Sequence, residues 1–337
     1  MTDASRQLAE LKGVAASIPN QRILISALGI QEAKDSSAIE NIVTTHDELF
    51  RESSNSSEVA NPAAKEVLRY RQALQVGYDL VRRDGLITNN HILQIQAKLE
   101  ENSAGFRRVP GTTLKDGAGH VVYTPPQDAT RVITLMTELE AFINAPRTER
   151  MDPLVRMAVM HHRFESIHPF YDGNGRTGRI LNVLFLVKEG LLDIPVLYMS
   201  RHIVQTKGEY YRLLLAVREQ GAWEEWVTYM LTAVTESARE AIAMVVAIRE
   251  AMLEVKHQVR SGFKFYSQDL INNLFAHPYT KIQFVENDLG VSRITATKYL
   301  DALAEAGILA KTKVGRSSFY INVRLVGILA DSAHTER

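Results

Sequence analysis

One run of twelve residues carries most of the chemical information in this chain: His168-Pro169-Phe170-Tyr171-Asp172-Gly173-Asn174-Gly175-Arg176-Thr177-Gly178-Arg179. It places a histidine, a carboxylate, a glycine-rich segment and two arginines within a few helical turns of one another. Displacement at phosphorus requires positioning, charge neutralisation and a base. Each of these residue types is common on protein surfaces, but their combination at this spacing indicates a site for phosphate chemistry.

The glycine-rich segment 173–175 lies just before a predicted helix that runs from Thr177 to Val187. Glycines let the backbone approach an anion closely, and the N-terminus of a helix adds partial positive charge. Arg176 and Arg179 are three residues apart, so we expect both to project from one helix face. Guanidinium groups bind phosphate oxygens with two parallel hydrogen bonds. The segment therefore predicts an anion site.

Two further side chains complete the predicted site. Asp172 offers a hard oxygen ligand for a Mg²⁺ ion that bridges phosphates. His168, with an ordinary pKa of about 6.5, is suited to take a proton from an attacking hydroxyl group. Phe170 is predicted to be an apolar anchor for the loop.

The run matches, position for position, the signature His-x-Phe-x-(Asp/Glu)-Gly-Asn-Gly-Arg-x-x-Arg, and so resembles the Fic family. This resemblance implies transfer of AMP from ATP to a hydroxyl side chain of a target protein. A branch of the family that phosphorylates its targets has lysine at the second glycine of the signature. This chain has Gly175 there, which favours nucleotidyl transfer.

The resemblance also implies a role for each position. His168 would be the base, Asp172 would hold Mg²⁺, and the glycine-rich segment would cradle the α- and β-phosphates. Arg176 and Arg179 would hold the outer phosphates. Thr206 is the implied contact at a position where many relatives carry asparagine. The implied ATP-binding positions are Gly173, Asn174, Gly175, Arg176, Thr177, Gly178, Arg179 and Thr206.

A second motif lies near the N-terminus, and it has two interpretations. Ser37-x-x-Glu40 matches a capping box, in which both side chains bond the first amides of a helix. Ser36-x-x-x-Glu40-Asn41 also resembles the (Ser/Thr)-x-x-x-Glu-(Gly/Asn) inhibitory motif of Fic proteins. That resemblance implies that Glu40 pairs with Arg179 and occupies the arginine meant for the γ-phosphate.

Composition narrows the class of protein. The 337 residues contain no cysteine, which excludes disulfides, thiol nucleophiles and cysteine-ligated zinc. The formal net charge is zero, so no overall field directs the chain to nucleic acid or membrane. No signal peptide is apparent, and no apolar run approaches the ~18 residues of a membrane span. We expect a cytoplasmic protein with no membrane partner.

The predicted fold is mainly α: a Fic-type helical core with a small β-hairpin flap, plus a C-terminal winged helix-turn-helix domain. Trp223 and Trp226 are both predicted to lie in the core. The predicted domains are an N-terminal helical region with the inhibitory motif (1–60), the Fic core (61–235), a linker helix (236–261), the winged helix (262–325) and a tail (326–337). Apolar residues recur at helical spacing in 64–84, 91–101, 129–144, 152–166, 209–219 and 224–257.

A hairpin is predicted over 112–123, because Asp116-Gly117 is a favoured tight turn. The family resemblance implies that this flap pairs with an extended segment of the protein target, a form of strand addition. A plain surface hairpin is the alternative.

The last third predicts helices over 267–275, 280–289 and 292–306, then strands over 309–313 and 318–322. Gly315-Arg316 is predicted to form the turn between the strands. Residues 255–325 contain ten Lys and Arg against five Asp and Glu. A basic helix-turn-helix with a wing favours DNA, with Arg316 at the wing tip. A docking site for a protein target or a homodimer contact is equally consistent with this module.

The function predicted is an autoinhibited protein adenylyltransferase that uses ATP and Mg²⁺ to modify Ser, Thr or Tyr residues, its own included. Three alternatives remain at this point. The same site could remove AMP, with Glu40 positioning a water, or it could use another nucleotide such as UTP or CTP. The chain could also be a DNA-binding regulator whose core senses nucleotide.

Overall fold

The structure, a computed structural model, describes residues 1–53, 61–146, 151–314 and 317–331. The chain divides into two compact units. Unit 1 contains residues 1–12, 32–43 and 66–239, and unit 2 contains residues 13–31, 44–65 and 240–337. The division at residues 60, 235, 261 and 325 that the sequence suggested stays a prediction.

Helices dominate, as predicted from the spacing of apolar residues. The first half contains α1 (Thr2–Ala15), α2 (Arg22–Ile39), α3 (His46–Ser53), α4 (Pro62–Asp84), α5 (Asn89–Glu100), β1 (Leu114–Lys115), β2 (Val121–Tyr123), α6 (Ala129–Asn144) and α7 (Pro153–Ile167). The second half contains α8 (Asn174–Lys188), α9 (Ser200–Gln205), α10 (Lys207–Gln220), α11 (Trp223–Gly262), α12 (Gln268–Ala276), β3 (Tyr279–Thr280), α13 (Ile282–Leu289), α14 (Arg293–Glu305), β4 (Ala310–Val314), β5 (Ser317–Ile321) and α15 (Val323–Asp331).

Helix α8 forms the centre of unit 1. All residues from Arg176 to Leu186 are buried, and α5 and α7 pack against the helix. A helix that is covered on all sides belongs to the core of its unit. Gly77 on α4 permits this packing, since a Cβ there would lie 2.5 Å from Leu184 Cδ1. The residues that begin α8 are therefore held by the best-packed part of the unit.

The predicted flap is an antiparallel hairpin of β1 and β2, in which Leu114 pairs with Tyr123. Asp116 closes the turn by accepting hydrogen bonds from the backbone N–H groups of Ala118 and His120. Val121 and Val122 are exposed.

Unit 2 contains α12–α14 and an antiparallel sheet with strand order β3-β5-β4. Ser292 caps α14 by accepting from the backbone N–H of Thr295, as its place before the helix suggested. The helix predicted to begin at 280 begins at Ile282, because Tyr279 and Thr280 pair with β5.

The order of these elements is the predicted one, although β3 was missed; the name winged helix stays a prediction. Residues 323–331 form α15, which the sequence analysis did not predict. The predicted turn at Gly315-Arg316 lies outside the described residues. Within the described part of the chain, no helix combines the length and the apolar composition that a membrane span needs.

The two tryptophans of α11 differ. Trp226 is fully buried, and its Nε1 donates to the carbonyl oxygen of Ala158 at 2.8 Å. Trp223 is 39% exposed, so its prediction as a core residue was wrong. Trp223 is the first residue of α11, at the exposed end of the helix, whereas Trp226 lies one turn further in.

Trp226→Ala should therefore lower the free energy of unfolding by about 3–5 kcal/mol. Trp223→Ala should lower it by well under ~2 kcal/mol. Urea denaturation followed by far-UV circular dichroism measures both. Equal losses in the two variants would contradict the packing described here.

Candidate active site

The twelve-residue run begins where α7 ends. His168 caps the helix in the left-handed conformation, with φ of 49°. Its backbone N–H donates to the carbonyl oxygen of Phe164 at 2.9 Å. Two residues later, Phe170 is fully buried against the rings of Phe106 and Phe164. Phe170 is thus the apolar anchor that was expected.

Arg107 holds the loop from the other side. It is buried, and its Nε donates to the carbonyl oxygen of His168 at 2.8 Å. Its backbone N–H donates to the carbonyl oxygen of Pro169 at 2.8 Å. This role was not predictable from the sequence, because 61 residues separate Arg107 from His168.

The start of α8 has the form of an anion cradle. Gly173 takes the helix N-cap position with φ of 78°, and no side-chain hydrogen bond caps the helix there. Asn174 closes the loop, since its side-chain amide accepts from the N–H of Phe170 and donates to its carbonyl oxygen, both at 2.9 Å. The first N–H groups of a helix lack partners within the helix and favour an anion.

Asp172 is the predicted Mg²⁺ ligand. Its side chain is 79% exposed, and Oδ1 accepts from the N–H of Gly173 at 2.7 Å. Among the described residues, no group of three or more His, Asp or Glu side chains could enclose a metal. A single accessible carboxylate beside an anion cradle fits a Mg²⁺ ion that takes its other ligands from phosphates and water.

The two arginines have different partners. Arg176 is buried and pairs with Glu66 at 2.5 Å and with Glu100 at 2.9 Å. Burial raises the pKa of Glu100, and Arg176 offsets this in part. The sequence placed both arginines on one phosphate-binding face, whereas in the structure Arg176 ties α8 to α4 and α5. Neither carboxylate partner had been singled out from the sequence.

Arg179 is buried and bonds to the end of α2. Nε donates to Ser36 Oγ at 2.8 Å, and Nη2 donates to the carbonyl oxygen of Ser36 at 2.9 Å. Nη2 also donates to Glu40 Oε1 at 2.9 Å. Burial opposes the charge on Glu40, but Arg179 outweighs it, so the pKa of Glu40 is lowered. The pair is therefore ionised at neutral pH.

The capping-box interpretation of Ser37 and Glu40 was wrong. Helix α2 ends at Ile39, so both residues lie at its C-terminus rather than its N-terminus. Beyond the helix, the N–H groups of Glu40 and Asn41 donate to the carbonyl oxygens of Ser37 and Ala38 at 3.0 Å. Asn41 has φ of 64°, a left-handed conformation that asparagine and glycine tolerate best.

Glu40 also lies against the anion cradle. A Cβ built at Gly175 would collide with Glu40 Oε1 and lie 2.9 Å from Arg179 Nη1. A carboxylate near a helix N-terminus is stabilised by the partial positive charge there. Glu40 therefore places an anion beside the position where the sequence predicted phosphate.

The remaining predicted ATP-binding positions contact other parts of the protein. Thr177 is buried, and its Oγ1 has no hydrogen-bond partner among the described residues. Gly178 leaves room for Glu165, whose Oε1 would lie 2.5 Å from a Cβ at this position. The hydroxyl of Thr206 donates to the carbonyl oxygen of His202 at 2.7 Å and lies 2.8 Å from the hydroxyl of Tyr229.

The environment of His168 favours the neutral imidazole. Burial, with Arg107 and Arg218 nearby, lowers the pKa of His168 to about 4. Its Nδ1 is buried without a hydrogen bond of good geometry among the described residues, so Nε2 is the nitrogen left for an incoming group. Burial also raises the pKa of Glu165, one turn earlier on α7, to about 7.

Three family models match the chain and together span most of it. The model described as Fic/DOC family N-terminal matches residues 1–79, and the model described as Fic/DOC family matches residues 86–186. The model described as protein adenylyltransferase SoFic-like, C-terminal domain, matches residues 249–325. This chain belongs to the Fic family.

Curated relatives share parts of this Fic chain. The protein adenylyltransferase fic-1 of Caenorhabditis briggsae is 36% identical over 83 residues, 25% of this chain and 15% of that protein. The protein adenylyltransferase Fic of Culex quinquefasciatus is 31% identical over 145 residues, 42% of this chain and 26% of that protein. The matched region thus spans about a quarter or less of either relative.

Solved Fic structures share the fold. The crystal structure of a Fic family protein from Desulfovibrio desulfuricans G20 superposes with a TM-score of 0.59 over 96% of both chains, at 23% identity. Fic-1 from Caenorhabditis elegans superposes with a TM-score of 0.53 over 72% of both chains, at 21% identity. The predicted fold class is confirmed: a mainly helical Fic fold with small antiparallel sheets.

A buried carboxyl group anchors α2 in this Fic chain. Glu32 lies one turn before Ser36, and its Oε1 accepts from the hydroxyl groups of Tyr70 at 2.9 Å and of Ser200 at 2.5 Å. Burial raises the pKa of Glu32 to about 7, and the hydrogen bonds offset only part of that rise. The sequence analysis had not singled out Glu32.

Glu32→Gln should change how stability depends on pH. Because the pKa of Glu32 is raised in the folded state, its contribution is fully present below the unfolded pKa of 4.5 and is lost as pH rises through about 7. The free energy of unfolding of wild type minus that of Glu32→Gln should therefore fall by about 2–3 kcal/mol between pH 5 and pH 8. Urea titrations across this range measure the difference, with the exposed Glu138→Gln as control. A difference that stays constant with pH would contradict the buried, partly protonated state of Glu32.

Proposed function

We propose that this Fic protein is a protein adenylyltransferase that Glu40 holds in an inhibited state. It would transfer AMP from ATP to a hydroxyl group of a protein side chain, its own included, and release pyrophosphate. The observation that carries the proposal is the ion pair of Glu40 with buried Arg179, set against Gly175 at the start of α8. Relatives named protein adenylyltransferase support the same reaction.

The reaction needs one bond to form and one to break. The hydroxyl oxygen attacks the α-phosphorus, the bond from that phosphorus to the bridging oxygen breaks, and pyrophosphate leaves. The hydroxyl proton moves to Nε2 of His168, which is neutral and able to accept it. The lowered pKa of His168 keeps the base deprotonated at neutral pH.

The cradle supplies the binding of the phosphates. The backbone N–H groups of residues 173–175 would face the α- and β-phosphates, and Arg179 would bind the γ-phosphate with its planar fork. Asp172 would hold Mg²⁺, which neutralises phosphate charge when bound. Arg176, already paired with Glu66 and Glu100, would keep the start of α8 in place.

Inhibition follows from competition for one cation. As long as Glu40 accepts from Nη2 of Arg179, the γ-phosphate meets a carboxylate instead of a free guanidinium. Repulsion between the two anions would turn ATP into a pose in which the α-phosphorus is not in line with the hydroxyl group. Ser36 would assist by occupying the two other hydrogen bonds of Arg179, and Asn41 would permit the turn that carries Glu40.

The proposal includes partners beyond ATP. The exposed strand β2 would add to an extended segment of a protein target near His168. The C-terminal helices and sheet of unit 2 would contact DNA, a protein or a second copy of the chain. The absence of cysteine supports a site of action in the cytoplasm.

Self-labelling tests the proposed function. Incubated with Mg²⁺ and ATP, the Glu40→Gly variant should gain one or more AMP masses, because Arg179 is then free for the γ-phosphate. Wild type should gain little, and the double variant Glu40→Gly/His168→Ala should gain none. Intact mass spectrometry reads out all three. If no variant gains mass with ATP, UTP or CTP, while ATP still binds, the proposal of adenylyl transfer fails.

The labelling rate of Glu40→Gly should be nearly constant between pH 6 and pH 8. A base with a pKa of about 4 is deprotonated throughout that range, whereas a histidine with the ordinary pKa would lose roughly fourfold in rate at pH 6. Initial rates by mass spectrometry at saturating ATP measure the profile. A steep loss below pH 7 would contradict the environment described for His168.

A further inference from the structure

The turn that carries Glu40 is bonded to a residue outside the two sequence motifs. Lys207 begins α10, and its Nζ donates to the carbonyl oxygen of Ile39 at 2.6 Å. Nζ also lies 3.4 Å from Asn41 Oδ1, so it bonds on both sides of Glu40. Lys207 is half-buried.

Lys207 supplies a hydrogen-bond donor to a carbonyl group that the end of a helix leaves unpaired. Ile39 is the last residue of α2, and the final carbonyl groups of a helix lack partners within it. A cation at a helix C-terminus is favourable because partial negative charge accumulates there. Lys207 therefore stabilises the end of α2 at the point where the chain leaves the helix to place Glu40.

A second contact joins α2 to α9, the short helix that precedes α10. The backbone N–H of Ser200, at the start of α9, donates to Glu32 Oε2 at 3.3 Å, and its hydroxyl donates to Glu32 Oε1. The last two turns of α2 are thus attached at both ends of the short segment 200–207. Of the two attachments, Lys207 is the one within two residues of Glu40.

We propose that Lys207 is a positioning residue that latches the inhibitory turn, residues 36–41, onto the start of α10 and thereby keeps Glu40 on Arg179. The proposal rests on the proposed inhibition by Glu40. It assigns to Lys207 no contact with the reacting atoms. Lys207 directly follows Thr206, one of the predicted ATP-binding positions. A movement of residues 206–207 would therefore break the hydrogen bonds of Lys207 to Ile39 and Asn41 and release Glu40.

A double-mutant cycle distinguishes the latch from a direct role in ATP binding. Lys207→Met keeps the aliphatic stem but removes the charge and the donors. Alone, it should raise self-labelling by roughly threefold to tenfold, the factor expected for loss of a charged group at a helix end and its hydrogen bonds. In the Glu40→Gly background it should change the rate by less than about twofold, because the inhibitory carboxylate is already absent.

Two further variants control the cycle. Lys207→Arg keeps the charge and the donors, and should leave wild-type labelling low. Lys98→Met removes an exposed lysine of α5 and should change nothing. The latch is refuted if Lys207→Met fails to raise labelling of the wild type, or if it lowers labelling in the Glu40→Gly background, which would assign Lys207 to ATP binding or transfer.

Hydrogen exchange tests the latch without any activity. The amides of Glu40, Asn41 and Ile42 donate to carbonyl oxygens within the turn, so their protection reports its integrity. Lys207→Met should lower the protection of peptides that cover residues 36–43, and Lys98→Met should not. If Glu40→Gly shows no labelling, the proposed function fails while exchange still decides the latch. Unchanged protection in Lys207→Met overturns the latch itself.

Discussion

A buried guanidinium group must be surrounded by acceptors, because an unpaired charge inside a protein is strongly destabilising. In this Fic protein that group is Arg179, and its described side-chain hydrogen bonds are donated to Ser36 near the end of α2 and to Glu40 just beyond it. The contacts of the last turns of α2 and the ionised state of Glu40 both serve this requirement. An acceptor that replaces Glu40 must itself be anionic, and the γ-phosphate of ATP has that property.

The cradle depends in turn on the helix that presents it. Helix α8 is buried along most of its length, so its N-terminus is fixed by packing rather than by a capping side chain. Asn174, Arg107 and Phe170 hold the loop before it, and Glu66 and Glu100 hold Arg176. The start of α8 is thus held by many contacts, whereas the turn that carries Glu40 is held by fewer. A local change in that turn would be enough to open the site.

Much of this arrangement was predictable from sequence because it is local. The motif residues are contiguous, and the long helices show the apolar period that a buried face requires. The partners that complete the site were not predictable, since Glu66, Glu100, Arg107 and Lys207 lie far along the chain from the groups they bond. Strand β3 was missed for a related reason. It has only two residues, and its pairing with β5 is what identifies it as a strand. The capping-box error arose because the four residues Ser-x-x-Glu do not by themselves show where the surrounding helix begins and ends.

The proposed inhibition requires that Glu40 and the γ-phosphate compete for Arg179. Isothermal titration calorimetry can test this competition, with ATP or ADP, each with Mg²⁺, titrated into wild type and into Glu40→Gly. Both proteins carry His168→Ala in addition, which prevents transfer during the titration. Loss of Glu40 should strengthen the binding of ATP and leave the binding of ADP nearly unchanged, because ADP lacks the phosphate that needs the arginine. Equal strengthening of both nucleotides, or of neither, would contradict it.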